Sequence, residues 1–120
     1  MTYLKGGAFV FQPPQNHEIF LPELASEEQN MIFTSSKEFV KQEIYPVMPQ
    51  IETQKPGLSQ EIFKKMGEVG LLGLHMPEQY GGSDLDANTV ALMLTGLGVM
   101  GSFNTPFAAH TGIGMLPVLY

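Results

Sequence analysis

The sequence predicts an all-α fold, a helical bundle domain of four to six helices preceded by an irregular N-terminal arm. Apolar residues recur at the three- and four-residue spacing of amphipathic helices, and the alternation typical of strands is almost absent. A Gly-Gly pair at 6–7 and a Pro-Pro pair at 13–14 disfavour regular structure near the start. We therefore assign residues 1–25 to the arm and residues 26–120 to the helical domain.

The first helix is marked by a capping signal and by a proline. Ser26 and Gln29 have the spacing of a capping box, in which each side chain accepts a hydrogen bond from the backbone N–H of the other residue. Because proline lacks an N–H donor and clashes with the preceding turn, the helix is expected to stop at Pro46. The prediction is a helix from about Glu27 to Tyr45.

Glycines bound the predicted second helix. Gly57 marks a turn, Ser59 is the predicted N-cap, and the glycines within 67–70 mark the end. Its buried stripe is predicted to contain Ile62, Phe63, Met66 and Val69.

Two further helices are predicted after a short glycine turn. Asp86 or Asn88 can cap the third helix, because their side chains accept from free N–H groups. Residues 105–120 predict a fourth helix with a kink or break near Pro117. One side of the third helix is predicted to carry Val90, Ala91, Leu94 and Leu97.

The charge balance excludes several partners. The net charge is -6 and the chain has no arginine, which argues against nucleic acid and against a built site for several phosphates. The absence of cysteine excludes disulfides, thiolate metal sites and a cysteine nucleophile. The first residues lack a secretory or mitochondrial targeting pattern, so we expect a cytoplasmic protein.

Residues 87–120 contain no Asp, Glu, Lys or Arg. A charge-free segment of this kind favours burial, so we expect the chain to be the front part of a longer protein whose remainder covers it. Glycines, prolines and polar residues interrupt the segment before it reaches the length of a membrane span.

Residues 96–101 match G-x-G-x-x-G, the fingerprint of a dinucleotide site. Pro106 falls in the first turns of the helix that would bind the phosphates, and no Asp or Glu follows to bind a ribose. We therefore interpret the motif as helix-end and close-packing glycines.

Titratable side chains are sparse where chemistry could occur. His110 is the only one after Asp86 apart from Tyr120, and we interpret it as a hydrogen-bonded core or interface histidine. His17 and His75 lack the spacing of metal ligands. No catalytic, metal-binding or cofactor-binding residue is predicted in this chain.

Four segments of the chain resemble one family. Residues 65–73 (KMGEVGLLG) and 77–82 (PEQYGG) resemble the N-terminal helical domain of the acyl-CoA dehydrogenase family, and the resemblance covers about residues 26–120. Residues 107–114 (FAAHTGIG) resemble a helix of its long-chain-type members, and residues 5–9 (KGGAF) resemble their leading arm.

The resemblance implies a larger enzyme that depends on FAD. In such enzymes a carboxylate base removes the α-proton of a fatty acyl-CoA while the flavin N5 accepts hydride from the β-carbon, which leaves a trans-2-enoyl-CoA. The base and the flavin-binding segments are implied to lie beyond this chain, which alone is expected to bind no flavin and to be inactive. The expected partners are fatty acyl-CoA, the remaining domains of the same chain and further copies in a homo-oligomer. An acyl-CoA oxidase or flavin monooxygenase of the same fold remains an alternative, as does a non-catalytic helical interaction module.

The resemblance also assigns an acyl pocket. The pocket-lining helix of the family falls on Thr105, Ala108, Ala109, Gly112 and Ile113. Small side chains there would leave room for a medium-to-long acyl chain, or they would only let two helices pack closely.

Overall fold

The computed structural model describes residues 10–11, 20–98 and 101–120. Regular structure in these ranges is entirely helical, which confirms the predicted fold class. Most of the predicted arm lies outside the described residues, and Val10 and Phe11 are exposed. None of the described helices combines the length and apolar character needed to cross a membrane. The α-helices are α1 (Glu27–Phe39), α2 (Met48–Glu52), α3 (Leu58–Glu68), α4 (Ala87–Leu97), α5 (Gly101–Ala108) and α6 (Leu116–Leu119).

Helix α1 begins at the predicted capping box. The Gln29 N–H donates to Ser26 Oγ (3.1 Å), and the Ser26 N–H donates to Gln29 Oε1 (2.9 Å). The predicted stop at Pro46 is wrong, because the chain stays helical beyond it. A π-helical segment, Val40–Ile44, widens the backbone, and the proline lies in the short 3₁₀ turn that leads into α2. The wider turn accommodates a residue that has no N–H to donate.

Helix α3 ends near the predicted glycines but begins differently. Its N-cap is Gly57, whose φ of +84° is a left-handed conformation that other residues avoid. Ser59 lies inside the first turn, so its predicted capping role is wrong. Ile62 and Met66 are buried as predicted, whereas Val69 is 60% exposed and does not belong to the buried stripe.

Helices α1 and α4 pack side by side and run parallel. Gln29 Nε2 donates to Thr89 Oγ1 (2.8 Å) near the start of both helices, and two turns later Ser36 faces Gly96. A Cβ at residue 96 would lie 2.1 Å from Ser36 Oγ, so only glycine permits this approach. The first glycine of the G-x-G-x-x-G pattern is thus a packing residue, as interpreted from the sequence. Residues 99–100 of the pattern lie outside the described residues.

Helix α4 is capped by Asp86, one of the two predicted residues. The Asp86 carboxylate accepts from the N–H groups of Asn88 (2.9 Å) and Thr89 (3.2 Å). Of the side predicted to carry Val90, Ala91, Leu94 and Leu97, only Leu97 is buried, because the helix is apolar around most of its circumference and periodicity alone does not select the inner face. The half-buried or exposed members of the predicted stripe are Val90, Ala91 and Leu94. The residues that α4 buries are Thr89, Leu92, Met93, Gly96 and Leu97.

The fourth predicted helix is two helices joined by a wider segment. Helix α5 starts at Gly101, before the predicted start, and contains Pro106. A π-helical segment, Ala109–Gly114, follows, and the predicted break is present at Met115, just before Pro117. This segment and α5 together form one wall of the site described below.

Aromatic rings hold α5 against α3. The ring centroid of Phe63 lies 6.1 Å from that of Phe103 and 6.5 Å from that of Phe107. The rings of Phe103 and Phe107 are themselves 6.3 Å apart, and both side chains are buried. Tilted and offset rings at these separations attract one another, so this cluster positions the start of the site wall.

Candidate functional site

An open apolar cleft of about 520 Å³ lies between α4, the turn around residues 71–75, and α5 with the segment after it. Its volume is within the usual range of small-molecule sites, about 300–1,000 Å³. Among the described residues, His75 and Tyr120 are its only titratable lining side chains, and no Asp, Glu, Lys or Arg lines it. The lining residues are Leu71, Leu74, His75, Leu85, Ala87, Val90, Ala91, Met93, Leu94, Phe107, Ala108, Thr111, Gly112, Leu116 and Tyr120.

Backbone hydrogen bonds hold the turn on both sides of His75. The Leu85 N–H donates to the Leu74 carbonyl (2.8 Å), and the Asp84 N–H donates to the Met76 carbonyl (2.9 Å). The backbone segments 74–76 and 84–85 therefore lie side by side without forming a regular sheet. His75 projects from a backbone that is restrained at both neighbours.

The glycines of the PEQYGG motif close this loop. Gly81 has a φ of +81°, a conformation that favours glycine. A Cβ at Gly82 would lie 2.0 Å from the Met76 carbonyl oxygen, so the close approach of the two backbones requires glycine there. Tyr80 of the same motif is 66% exposed. The motif thus shapes the loop and supplies no group to the cleft.

His75 connects the loop to the π-helical segment after α5. Its Nε2 lies 2.9 Å from the Thr111 carbonyl oxygen, and since a carbonyl only accepts, Nε2 carries the proton. Thr111 is buried, and its Oγ1 donates to the Phe107 carbonyl (2.9 Å). Sequence spacing offered no sign of the His75 contact, because its partners lie 36 residues apart.

The five residues predicted to form an acyl pocket lie on different surfaces. Ala108 and Gly112 line the apolar cleft together. Thr105 lines a separate, more polar cleft beside α2 and α3. Ala109 and Ile113 are exposed and do not line the apolar cleft. This split follows helical geometry, because residues four apart share a side and the next residue is rotated by about 100°.

The charge-free stretch leaves large apolar side chains uncovered in this chain. Such exposed apolar groups normally meet a ligand or another protein surface when they occur together. Those beyond residue 87 with the largest exposed fractions are Leu94, Ile113, Val118 and Tyr120.

His110 does not occupy the core, one of the two environments predicted for it. Its side chain is exposed in this chain, which excludes the core position, and its ring meets Phe63 edge-on with the centroids 5.5 Å apart. It does not line the apolar cleft, so His75 is the histidine that the fold brings to the site.

The shifted pKa values belong to contacts that stabilise helices. The Thr89 hydroxyl donates to the Asp86 carboxylate (2.5 Å) and, with the backbone N–H groups of the cap, lowers the pKa of Asp86 despite its partial desolvation. Glu43 accepts a hydrogen bond from Lys65 and raises the pKa of that lysine. Neither Asp86 nor Lys65 lines the apolar cleft.

Comparison with known proteins identifies relatives over nearly the whole chain. Residues 26–120 match the family model for the acyl-CoA dehydrogenase N-terminal domain. The chain is 35% identical over 116 residues to a probable acyl-CoA dehydrogenase of Bacillus subtilis (strain 168), across 97% of this chain and 20% of that protein. It is 38% identical over 96 residues to YngJ, a probable acyl-CoA dehydrogenase of the same organism, across 79% of this chain and 25% of that protein.

A solved structure shares the fold. The crystal structure of an acyl-CoA dehydrogenase complexed with FAD from Bacillus anthracis matches with a TM-score of 0.88 and 35% identity, over 97% of this chain and 20% of that chain. The present chain thus spans about a fifth to a quarter of the length of these three relatives. The family match over residues 26–120 and the shared helical fold lead to one conclusion: this chain belongs to the acyl-CoA dehydrogenase family and corresponds to its N-terminal domain.

Proposed function

We propose that this chain forms the acyl-chain side of the active site in an FAD-dependent acyl-CoA dehydrogenase, which introduces an α,β double bond into fatty acyl-CoA thioesters. The observation that supports this most directly is the apolar cleft, where the small residues Ala108 and Gly112 leave one wall open. Each methylene removed from water contributes about 0.8 kcal/mol to binding, so an uncharged cleft suits an aliphatic chain. The absence of bulky side chains at these two positions supports a medium-to-long acyl chain.

The cleft does not fit FAD itself. The diphosphate of a dinucleotide needs cations, a helix N-terminus or a glycine-rich loop. The chain has no arginine, no lysine in the described part of the chain lines the cleft, and Gly96 packs directly against Ser36. We therefore propose that parts of the whole protein outside this chain hold the flavin and supply the catalytic base. The present chain would bind the acyl group and exclude water from it.

Two further properties complete the proposal. The whole protein is a homo-oligomer, in keeping with the apolar side chains that this domain leaves uncovered. It acts in the cytoplasm, where a chain without cysteine needs no oxidising compartment.

The test uses the complete protein that carries this chain, purified and incubated without oxygen with butyryl-, octanoyl- or palmitoyl-CoA. We expect stoichiometric FAD and loss of the flavin colour on addition of the longer substrates. In a separate assay with oxygen admitted, an enzyme that turns over with oxygen as its electron acceptor would be an oxidase instead. A colourless protein, or a flavin that no acyl-CoA reduces, would refute the proposal. The 120-residue chain alone is expected to be colourless and inactive.

A further inference from the structure

The Thr111 carbonyl is released from the normal pattern of its helix. In an α-helix the N–H of Met115 would donate to Thr111, four residues back. Here the Met115 N–H instead donates to the His110 carbonyl, five residues back, at 3.0 Å. Thr111 is buried, and a buried carbonyl without a partner is costly, so the widened turn needs a donor from elsewhere.

His75 supplies that donor. Its Nε2–H group reaches the Thr111 carbonyl at 2.9 Å from a loop whose backbone is restrained at Leu74 and Met76. The imidazole therefore takes the place of the missing helical N–H. Without this donor, we expect the segment to revert to α-helical hydrogen bonding, in which the Met115 N–H donates to the Thr111 carbonyl.

That change would alter the wall of the cleft. Ala108 precedes the π-helical segment and Leu116 follows it, and both line the cleft. A π-helical turn contains one more residue than an α-helical turn, so its loss rotates the following residues by about 100° relative to those before it. Leu116, which follows the turn, would then no longer lie on the same side as Ala108.

We propose that His75 is a positioning residue for acyl-chain selectivity: its hydrogen bond to the Thr111 carbonyl holds the π-helical turn and thereby aligns Ala108, before the turn, with Leu116, after it, along the cleft. This inference rests on the proposed function of the cleft. His75 acts through Thr111 and takes no part in the chemical step.

The test compares two amides of different reach in the complete protein. In His75→Gln the terminal amide nitrogen lies close to the former position of Nε2, whereas in His75→Asn the side chain is one methylene shorter and cannot reach Thr111. His110→Gln is the matched control, since His110 is exposed and lies outside the cleft. The readout is kcat/KM for acyl-CoA substrates of four, eight and sixteen carbons.

In the asparagine variant, we expect the ratio of kcat/KM for the best substrate to kcat/KM for butyryl-CoA to fall by about 3- to 10-fold. A factor of this size corresponds to the free energy of one hydrogen bond. The glutamine variant should keep the wild-type preference within about 2-fold, and so should the control. Equal losses at all chain lengths, or an asparagine variant with the wild-type profile, would overturn the inference.

Hydrogen exchange of the same proteins, measured by mass spectrometry, provides a second readout that does not depend on activity. Peptides that cover 109–116 should exchange faster in His75→Asn than in His75→Gln, while peptides of α4 should not change. Unchanged exchange at 109–116 would overturn the role of His75 in holding the turn. A wild-type protein that acts on no acyl-CoA would instead refute the proposed function, and the exchange result would still decide whether His75 holds the turn.

Discussion

Replacing Ala108 by phenylalanine tests whether the apolar cleft receives the acyl chain. Ala108 lines the cleft and its side chain is exposed, so a larger residue has space to enter without displacing the core. We expect Ala108→Phe to fill part of the cleft and to change the free energy of unfolding by no more than about 0.5 kcal/mol, as is usual at exposed positions.

The magnitude follows from the methylenes that the ring displaces. A phenyl ring occupies the space of roughly three to four methylenes of a bound chain. Each displaced methylene removes about 0.8 kcal/mol of favourable binding free energy. The sum is about 2.4–3.2 kcal/mol, which corresponds to about 60- to 200-fold in kcat/KM. The kcat/KM for palmitoyl-CoA should fall by this factor, whereas that for butyryl-CoA, whose chain is too short to fill the cleft, should change by less than about 3-fold.

The comparison variant is Ala109→Phe, the same change one position further along the chain. Ala109 is also exposed but does not line the cleft. The assay is kcat/KM of the complete protein with butyryl-, octanoyl- and palmitoyl-CoA, with urea unfolding of each variant as a check on the fold. We expect only Ala108→Phe to narrow the substrate range.

Two results would refute this reasoning. If Ala109→Phe narrows the range and Ala108→Phe does not, the acyl chain lies against the other side of this helical segment, and the cleft is not the acyl pocket. If both variants lower activity equally for all chain lengths, the small residues serve only helix packing.

Two further predictions concern the packing and capping of α4. Gly96→Ala should destabilise the domain by about 1–3 kcal/mol, because the new methyl group would overlap Ser36. The control is Gly101→Ala, which has no atom near its Cβ position and should be neutral or stabilising by up to about 1 kcal/mol. Urea unfolding measures the stability of both variants. Asp86→Ala should cost about 1 kcal/mol at neutral pH through loss of the N-cap. Thr89 and the cap N–H groups lower the pKa of Asp86 in the folded state. The stabilisation by the charged cap is therefore fully present above pH 3.8, the ordinary pKa of the unfolded state, and is lost as the pH falls through the lower pKa of the folded state. The free energies of unfolding of wild type and variant should thus converge in acid. A difference that stayed constant with pH would contradict the capping role.

Local signals in the sequence were sufficient where the physical cause is local. The capping box at Ser26 and the cap at Asp86 act within one helical turn, and both are present where the sequence placed them. The break before Pro117 has the same origin, because the missing N–H affects only the preceding turn. The helical class and the approximate positions of α1, α3 and α4 could therefore be predicted without the structure.

Errors arose where two local rules competed. At Pro46 the missing donor was expected to end the helix, but the backbone widened and continued instead. At the start of α3, Ser59 has the right side chain for a cap, yet the left-handed backbone of Gly57 takes the capping position two residues earlier. In both cases the choice depends on the packing of neighbouring helices, which a local pattern does not contain.

The sequence by itself determined that this protein is helical, where α1 and α4 begin and α3 ends, and which family it resembles. Only the tertiary structure decided which face of α4 is buried, because a helix that is apolar on nearly all sides has no preferred inner face until it meets α1. It likewise decided that Ala108 and Gly112 share a cleft while Ala109 does not. The contact between His75 and Thr111 was beyond sequence reasoning for the same reason: its partners are distant in the chain, and only the folded loop brings the donor to the carbonyl that the π-helical turn leaves free.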